Sequence, residues 1–280
     1  MPPLPILDHF AALAAQYDAL ICDIWGVMHN GTSPHLAACD ALRMFRQTRG
    51  PVVLLSNAPR PIRDVESMFD RLGVPRDSYD TIVTSGVAAR AGLIARAGKL
   101  RLAMFHLGPE RDRGVFEGLP VDCVDEAQAE IILNTGLFDD TSETPQDYVA
   151  RFAPLAARGL LMLCANPDIV VQRDGKLIWC AGALAAEYEK LGGEVIYYGK
   201  PFLPIYDLAL AATKGAHRIL AVGDGLHTDI KGANNAGIDA LFIADGVHGE
   251  EVEPFTPDHL ADLLDKSGTK AHAAMRALVW

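Results

Sequence analysis

Positive charge is in short supply along this chain. Its 280 residues carry 25 Lys+Arg against 36 Asp+Glu, a formal net charge of -11. A general nucleic-acid or anionic-membrane binder needs a basic face, so the balance argues against both. A phosphorylated ligand is not excluded, because a local cation can reverse the field inside a cleft. Cysteine is sparse as well: Cys22, Cys39, Cys123, Cys164 and Cys180 are scattered, odd in number and never in a CxxC pair. That spacing builds no disulfide framework and points to a reduced, cytoplasmic protein, with Cys22 and Cys164 as core thiols. No apolar run reaches the ~18 residues that suggest a membrane span. Residues 1–16 lack a basic stretch and hold prolines at 2, 3 and 5, which reads against a signal peptide. No G-x-G-x-x-G follows the first apolar run, which removes the main signature of a nucleotide-cofactor oxidoreductase.

Half of the residues are hydrophobic, and the length allows one large or two medium domains with ample core. Short apolar runs alternate with segments of helical spacing. Strands are expected over 18–23, 51–56 and 80–84, with helices over 34–48, 62–72 and 85–97, the last capped by Ser85. The run PVVLLS is apolar on both faces, as in a parallel sheet. This βαβαβα pattern predicts a doubly wound parallel sheet. A second α/β series follows, with Asp174-Gly175 as a hairpin turn and a helix over 181–191. Strands over 195–198, 218–222 and 239–243 come later. A short helix is expected over 7–17, a late one over 257–264, and the alanine-rich tail 267–280 also has helical composition.

Four strand ends carry polar groups: Asp23, Ser56-Asn57, Lys200, and Asp224 with Asp229 five residues on. Parallel strands would put all four ends on one edge, where open α/β sheets bind ligands. The set suffices for phosphoryl transfer. A carboxylate, Asp23, can attack phosphorus and split hydrolysis into two steps. A phosphate dianion repels that carboxylate, so the site needs positive charge. A hard divalent cation such as Mg²⁺, on Asp23, Asp224 and Asp229 as ligand or support, supplies part of it. Lys200 adds a point charge. Ser56 Oγ and backbone N–H groups near Asn57 can donate to phosphate oxygens. Each residue also has a plainer reading. Asp224-Gly225 and Ser56-Asn57 are turn formers, Thr228-Asp229 caps helices, and Lys200 before Pro201 suits a surface helix start.

Taken in order, these residues resemble the haloacid dehalogenase (HAD) superfamily. Asp23-Ile24-Trp25-Gly26-Val27 resembles its first motif, hhhDxDGx, except at the third position. Ser56 stands for the second motif, Lys200 in Tyr198-Gly199-Lys200-Pro201 for the third, and Gly223-Asp224-Gly225-Leu226-His227-Thr228-Asp229 for the fourth, GDxxxTD. The phrases LLSNAPRP, ANPD and YYGKP look like the class IIA branch of nucleotide and p-nitrophenyl phosphatases. The resemblance implies a Rossmann-like core, residues 1–85 plus 191–280, and an inserted α/β cap, 86–190, that selects a small phosphorylated metabolite. It implies Mg²⁺, held also by the Trp25 backbone carbonyl. Cap loop residues Asn166 and Asp168 face the substrate in this reading, with an Asx turn as the alternative, and Arg60 is a further contact candidate. Branch members are often dimers through the cap, so a homodimer is the expectation.

Trp25 departs from the family. Most HAD phosphatases have a second Asp there, which protonates the leaving oxygen and then activates water. An indole has only an N–H donor and cannot shuttle protons. General acid–base help is worth about 10²–10⁴-fold, or roughly 3–5 kcal/mol of barrier. Three outcomes are open: a slow enzyme, one limited to good leaving groups such as aryl or acyl phosphates, or one with a substitute. His29, six residues past Asp23, is the candidate acid/base. The alternative function is a catalytically impaired HAD-like protein that binds a phosphorylated ligand or partner.

Overall fold

A computed structural model describes residues 4–98, 101–173 and 176–280, and these form two compact units. The first comprises Met1–Ser56, Arg63–Val83 and Lys200–Trp280. Its sheet contains β1 (Ala19–Asp23), β2 (Val52–Ser56), β3 (Thr81–Thr84), β11 (Ile219–Gly223), β12 (Asp239–Ile243) and β13 (Ala273–Met275). The spatial order is β3-β2-β1-β11-β12-β13. β1 pairs in parallel with β2 on one side and β11 on the other, with Cys22 opposite Leu54 and Val222. A central strand covered on both faces must be apolar throughout, and all five β1 residues are buried. Helix Leu36–Thr48 buries Ala38, Ala41, Leu42 and Phe45, a 3.6-residue stripe. Leu226, Ile230, Phe242, Leu260 and Leu264 belong to one apolar cluster.

The second unit comprises Asn57–Ile62 and Thr84–Gly199. Its parallel sheet contains β4 (Leu102–Leu107), β5 (Val121–Cys123), β6 (Ile131–Asn134), β7 (Leu161–Cys164) and β10 (Glu194–Tyr197), in the order β10-β7-β6-β4-β5. Helices Val149–Ala157 and Ala181–Lys190 cover it, packing Phe152, Leu155, Leu184 and Tyr188 against Ile132 and Met162. Strands β8 (Val170–Arg173) and β9 (Lys176–Trp179) pair antiparallel; their expected turn, Asp174-Gly175, lies outside the described residues. Among the described residues no helix is long and apolar enough to cross a membrane.

Several expectations need correction. The strand expected to carry Lys200 to the core sheet is β10, which pairs with β7 in the other sheet, Glu194 opposite Leu161. The second unit therefore extends to Gly199 rather than 190, and it takes in Asn57–Ile62. The alanine-rich tail is strand, not helix: Ala273–Met275 pairs with Leu241–Ile243. Sheet pairing there overrides alanine's helix preference. The N-terminal helix shrinks to Ala11–Ala14 because Leu7 and Phe10 donate backbone bonds to Ala274 and Val279. Thr84, not Ser85, caps helix Ser85–Ala97, its side chain accepting from the Val87 N–H.

Candidate active site

In the first sheet, strand order reverses between β1 and β11. Open α/β sheets bind ligands at such a switch, outside the carboxyl ends of the strands. Asp23 ends β1, and Asp224 follows the last residue of β11. The chain then makes a wide π-helical turn, Leu226–Ile230, before helix Lys231–Ala236. Turns of this kind are frequent at functional sites, and this one carries Asp229.

Carboxylate oxygens of Asp23, Asp224 and Asp229 lie within 4.8 Å of one another, and all three residues are buried. Lys200 Nζ donates to Asp23 Oδ1 at 2.5 Å and to Asp229 Oδ1 at 2.7 Å. The Val247 N–H donates to Asp224 Oδ2 at 2.8 Å. The Gly225 N–H and Thr228 Oγ1 each reach Asp229 Oδ2 at 3.2 Å. Gly26 lets the first loop pass this close. A Cβ there would meet Asp224 Oδ2 at 1.9 Å, and its φ of +84° suits only glycine.

Burial, then the neighbouring Asp229, pushes the Asp23 carboxyl well above the usual range, against the pull of Lys200. The same two causes raise Asp224 to about 6. Burial works against the charged Lys200, but Asp229 and Asp23 outweigh it and hold the ammonium protonated. Three carboxylates around one ammonium leave the site short of positive charge. All-oxygen donors at this spacing suit a hard divalent cation. Asp224→Asn is expected to lower Mg²⁺ affinity at least about tenfold, by analogy with lost metal-site partners. Titration calorimetry checks this, and unchanged affinity would remove Asp224 from the ligand set.

The other candidates divide between the two units. Ser56 ends β2, one residue past the Asp23–Leu55 pair. Asn57, in the second unit, donates from Nδ2 to Asp168 Oδ1 at 2.8 Å. Asn166 Oδ1 accepts from the Asp168 N–H at 3.1 Å, the Asx-type turn that its sequence allowed. Arg60 Nε stands 3.8 Å from Asp112 Oδ1. Sequence reading missed the Tyr206 hydroxyl on the Asp229 carbonyl, the Val247 N–H on Asp224, and Asp112. None of these three carries a motif or a spacing of its own.

His29 is 2% exposed. Its Nδ1 accepts from the Gly31 N–H at 3.0 Å, which leaves the proton on Nε2. Nε2 is buried without a hydrogen-bond partner, and the ring packs edge-on against Trp25 and Phe69. Burial, then His35, lowers its pKa from 6.5 to about 4. Between those values the unfolded chain takes up a proton that the folded one refuses, so stability falls as pH drops from 6.5 towards about 4. In an NMR titration the His29 ring is expected to stay neutral down to about pH 4. A midpoint near 6.5 would contradict this packing.

Residues 20–120 match the haloacid dehalogenase-like hydrolase model, and 197–267 a second HAD-hydrolase-like model. A solved haloacid dehalogenase-like hydrolase from Brucella suis 1330 is 40% identical, with a TM-score of 0.84, and the match covers 98% of this chain and 100% of that one. The chain belongs to the haloacid dehalogenase-like hydrolases, in the class IIA branch. Among its relatives is the 5'-nucleotidase YutF of Bacillus subtilis (strain 168), 26% identical over 89% of this chain and 93% of its own. Another is D-glycerol 3-phosphate phosphatase of Mycobacterium tuberculosis, 28% identical over 85% of this chain. This chain spans 65% of that protein's length. A crystal structure of the mycobacterial glycerol phosphate phosphatase in complex with magnesium is 26% identical, with a TM-score of 0.67, and the match covers 84% of this chain and 70% of that one.

Proposed function

We propose that this protein is a Mg²⁺-dependent phosphohydrolase of a small phosphorylated metabolite, acting through an aspartyl-phosphate on Asp23. One observation carries the reading: Lys200 bridges Asp23 and Asp229 inside a buried cluster of three carboxylates at the strand-order switch. An Asp23 oxygen attacks phosphorus, and the ester bond breaks with its electron pair going to the leaving oxygen. Water then attacks the same phosphorus, releasing inorganic phosphate and restoring Asp23. Lys200 holds Asp23 in place and offsets phosphate charge. Ser56 Oγ and the Asn57 backbone N–H donate to phosphate oxygens as charge spreads over them. Asp23, Asp224 and the Trp25 carbonyl would hold the ion, with Asp229 as ligand or support. Bound Mg²⁺ neutralises part of the phosphate charge.

Trp25 narrows the substrate. It gives the leaving oxygen no proton, so the favoured esters leave as stable anions: aryl or acyl phosphates rather than alkyl ones. His29 does not fill the gap in this reading, because its ring is neutral at pH 7, with Nδ1 engaged by Gly31 and its one proton on the buried Nε2, and a neutral imidazole N–H is too weak an acid to protonate a leaving group. It holds the loop instead. Asn166, Asp168 and Arg60 select the substrate from the cap, with Asp168 acting partly through Asn57. Five free thiols are in keeping with a reducing cytoplasm, and a homodimer remains the expected assembly.

The second reading, a catalytically impaired binder of phosphorylated ligands, is favoured by Trp25 alone. Phosphate release across aryl, acyl and alkyl phosphates with Mg²⁺ decides between the two. Release from aryl or acyl esters supports the hydrolase. Binding of all three without release supports the binder.

A further inference from the structure

The turn Leu226–Ile230, which carries Asp229, has no cap of its own. Gly225 stands at its N-cap and offers no side chain to the free N–H groups of the first turn. No larger residue fits there. A Cβ on Gly225 would meet Thr228 Oγ1 at 2.0 Å and Asp229 Oδ2 at 2.9 Å, because Asp229 folds back to take the Gly225 N–H. The cap has to come from elsewhere in the chain. His248 Nε2 supplies it, accepting from the Leu226 N–H at 3.1 Å. A ring nitrogen accepts only when it carries no proton, so the neutral ring holds its proton on Nδ1. Nδ1 lies 3.0 Å from Glu251 Oε2, the acceptor that this tautomer requires.

The loop that follows β12 keeps the ring in place. The Glu251 N–H donates to the His248 carbonyl at 2.8 Å across the 3₁₀ turn Gly249–Val252, which holds the carboxylate beside the ring. Val252 is buried and shares its apolar cluster with Leu226 and Ile230. Arg276 pairs with Asp245 at 3.3 Å and with Glu253 at 2.9 Å, so it ties the two ends of the loop. The same loop grips the residue before the turn, through the Val247 N–H on Asp224 Oδ2. It therefore fixes the chain at Asp224 and at Leu226, on either side of Gly225. Asp224 and Asp229, the two acids of this segment, gather with Asp23 within 4.8 Å. Partners that orient metal ligands from outside in this way are typically worth about 10–100-fold in affinity.

We propose that His248, oriented by Glu251, is a positioning residue for the metal site. It caps the turn that no residue at 225 can cap, and so sets the spacing of Asp224 and Asp229. The consequence for the ion rests on the Mg²⁺ reading of the site; the cap does not.

Three measurements on the full chain test it. First, the ring ¹⁵N shifts of metal-free wild type report the tautomer of the neutral His248. A proton on Nδ1 and none on Nε2 is expected, and a proton on Nε2 overturns the proposal. Second, the Asp229 and Ile230 N–H groups both donate to the Gly225 carbonyl, at 2.9 and 3.0 Å. In metal-free protein their hydrogen exchange should quicken about fivefold in His248→Leu, the usual worth of an N-cap. His248→Gln, whose Oε1 can replace Nε2 as acceptor, should stay near wild type. Unchanged exchange in His248→Leu overturns the cap. Third, Mg²⁺ affinity by calorimetry should fall about tenfold or more in His248→Leu and recover in His248→Gln. Wild type that binds Mg²⁺ beside a His248→Leu of equal affinity ends the positioning role alone. Wild type that binds no Mg²⁺ ends the metal reading and the positioning role together. The tautomer needs no variant, so it still decides if His248→Leu fails to fold.

Discussion

Asp23→Asn is expected to abolish phosphate release, with kcat falling by about 10⁴–10⁶-fold, as when a covalent nucleophile is removed. The substitution keeps the shape of the side chain and an oxygen for Lys200, so the loss reports chemistry rather than collapse. An amide oxygen is a poor nucleophile and does not form a hydrolysable phosphoryl ester at a useful rate. Stability should move the other way. Burial and Asp229 raise the Asp23 pKa far above its unfolded value. A carboxyl raised in this way contributes its full stability below the unfolded pKa and loses it progressively as pH rises through the folded pKa. Removing that charge should therefore raise the metal-free melting temperature at pH 7 while turnover is lost. Acid-quenched labelling with a phosphorus-labelled aryl phosphate should mark wild type at Asp23 and leave the variant unlabelled. A variant within tenfold of wild-type kcat would end the covalent mechanism.

Much of this site was legible in the sequence because its members sit at ends of apolar runs. Asp23 closes ALICD, Asp224 follows ILAVG, and each strand end points the same way once the strands are parallel. Lys200 shows the limit of that reasoning. It follows an apolar strand as Asp23 does, yet β10 pairs with β7 in the other sheet. An apolar run announces a strand and does not name its partner. The tail failed for a related reason: alanine favours helix locally, and only the open edge of β12 makes Ala273–Met275 a strand. His29 looked like a loop histidine free to titrate, and burial against Trp25 and Phe69 was invisible without the tertiary contacts. The bond between His248 and Leu226 was out of reach for the same cause. The two stand 22 residues apart, and they meet only because β12 lies beside β11.

Trp25→Asp is expected to raise kcat/KM for alkyl phosphates by about 10²–10⁴-fold, the usual worth of a general acid, and to change aryl and acyl esters far less. The site tolerates the change. Trp25 is 41% exposed, and its ring lies against Gly31 and the edge of His29 rather than inside the apolar core. Losing it should cost less than a buried aromatic, whose truncation costs about 3–5 kcal/mol. The new carboxylate adds a fourth negative group beside a cluster that already lacks positive charge. Its gain should therefore appear at saturating Mg²⁺ and fade when the ion is withdrawn. Trp25→Ala separates the two effects of the substitution. Both variants lose the indole, and only one gains a proton carrier. If Trp25→Asp is no faster than Trp25→Ala on an alkyl phosphate, the missing acid is not what limits this enzyme. If it is faster on alkyl esters alone, then Trp25 sets the substrate range by withholding a proton, and the preference for esters that leave as stable anions follows from one residue.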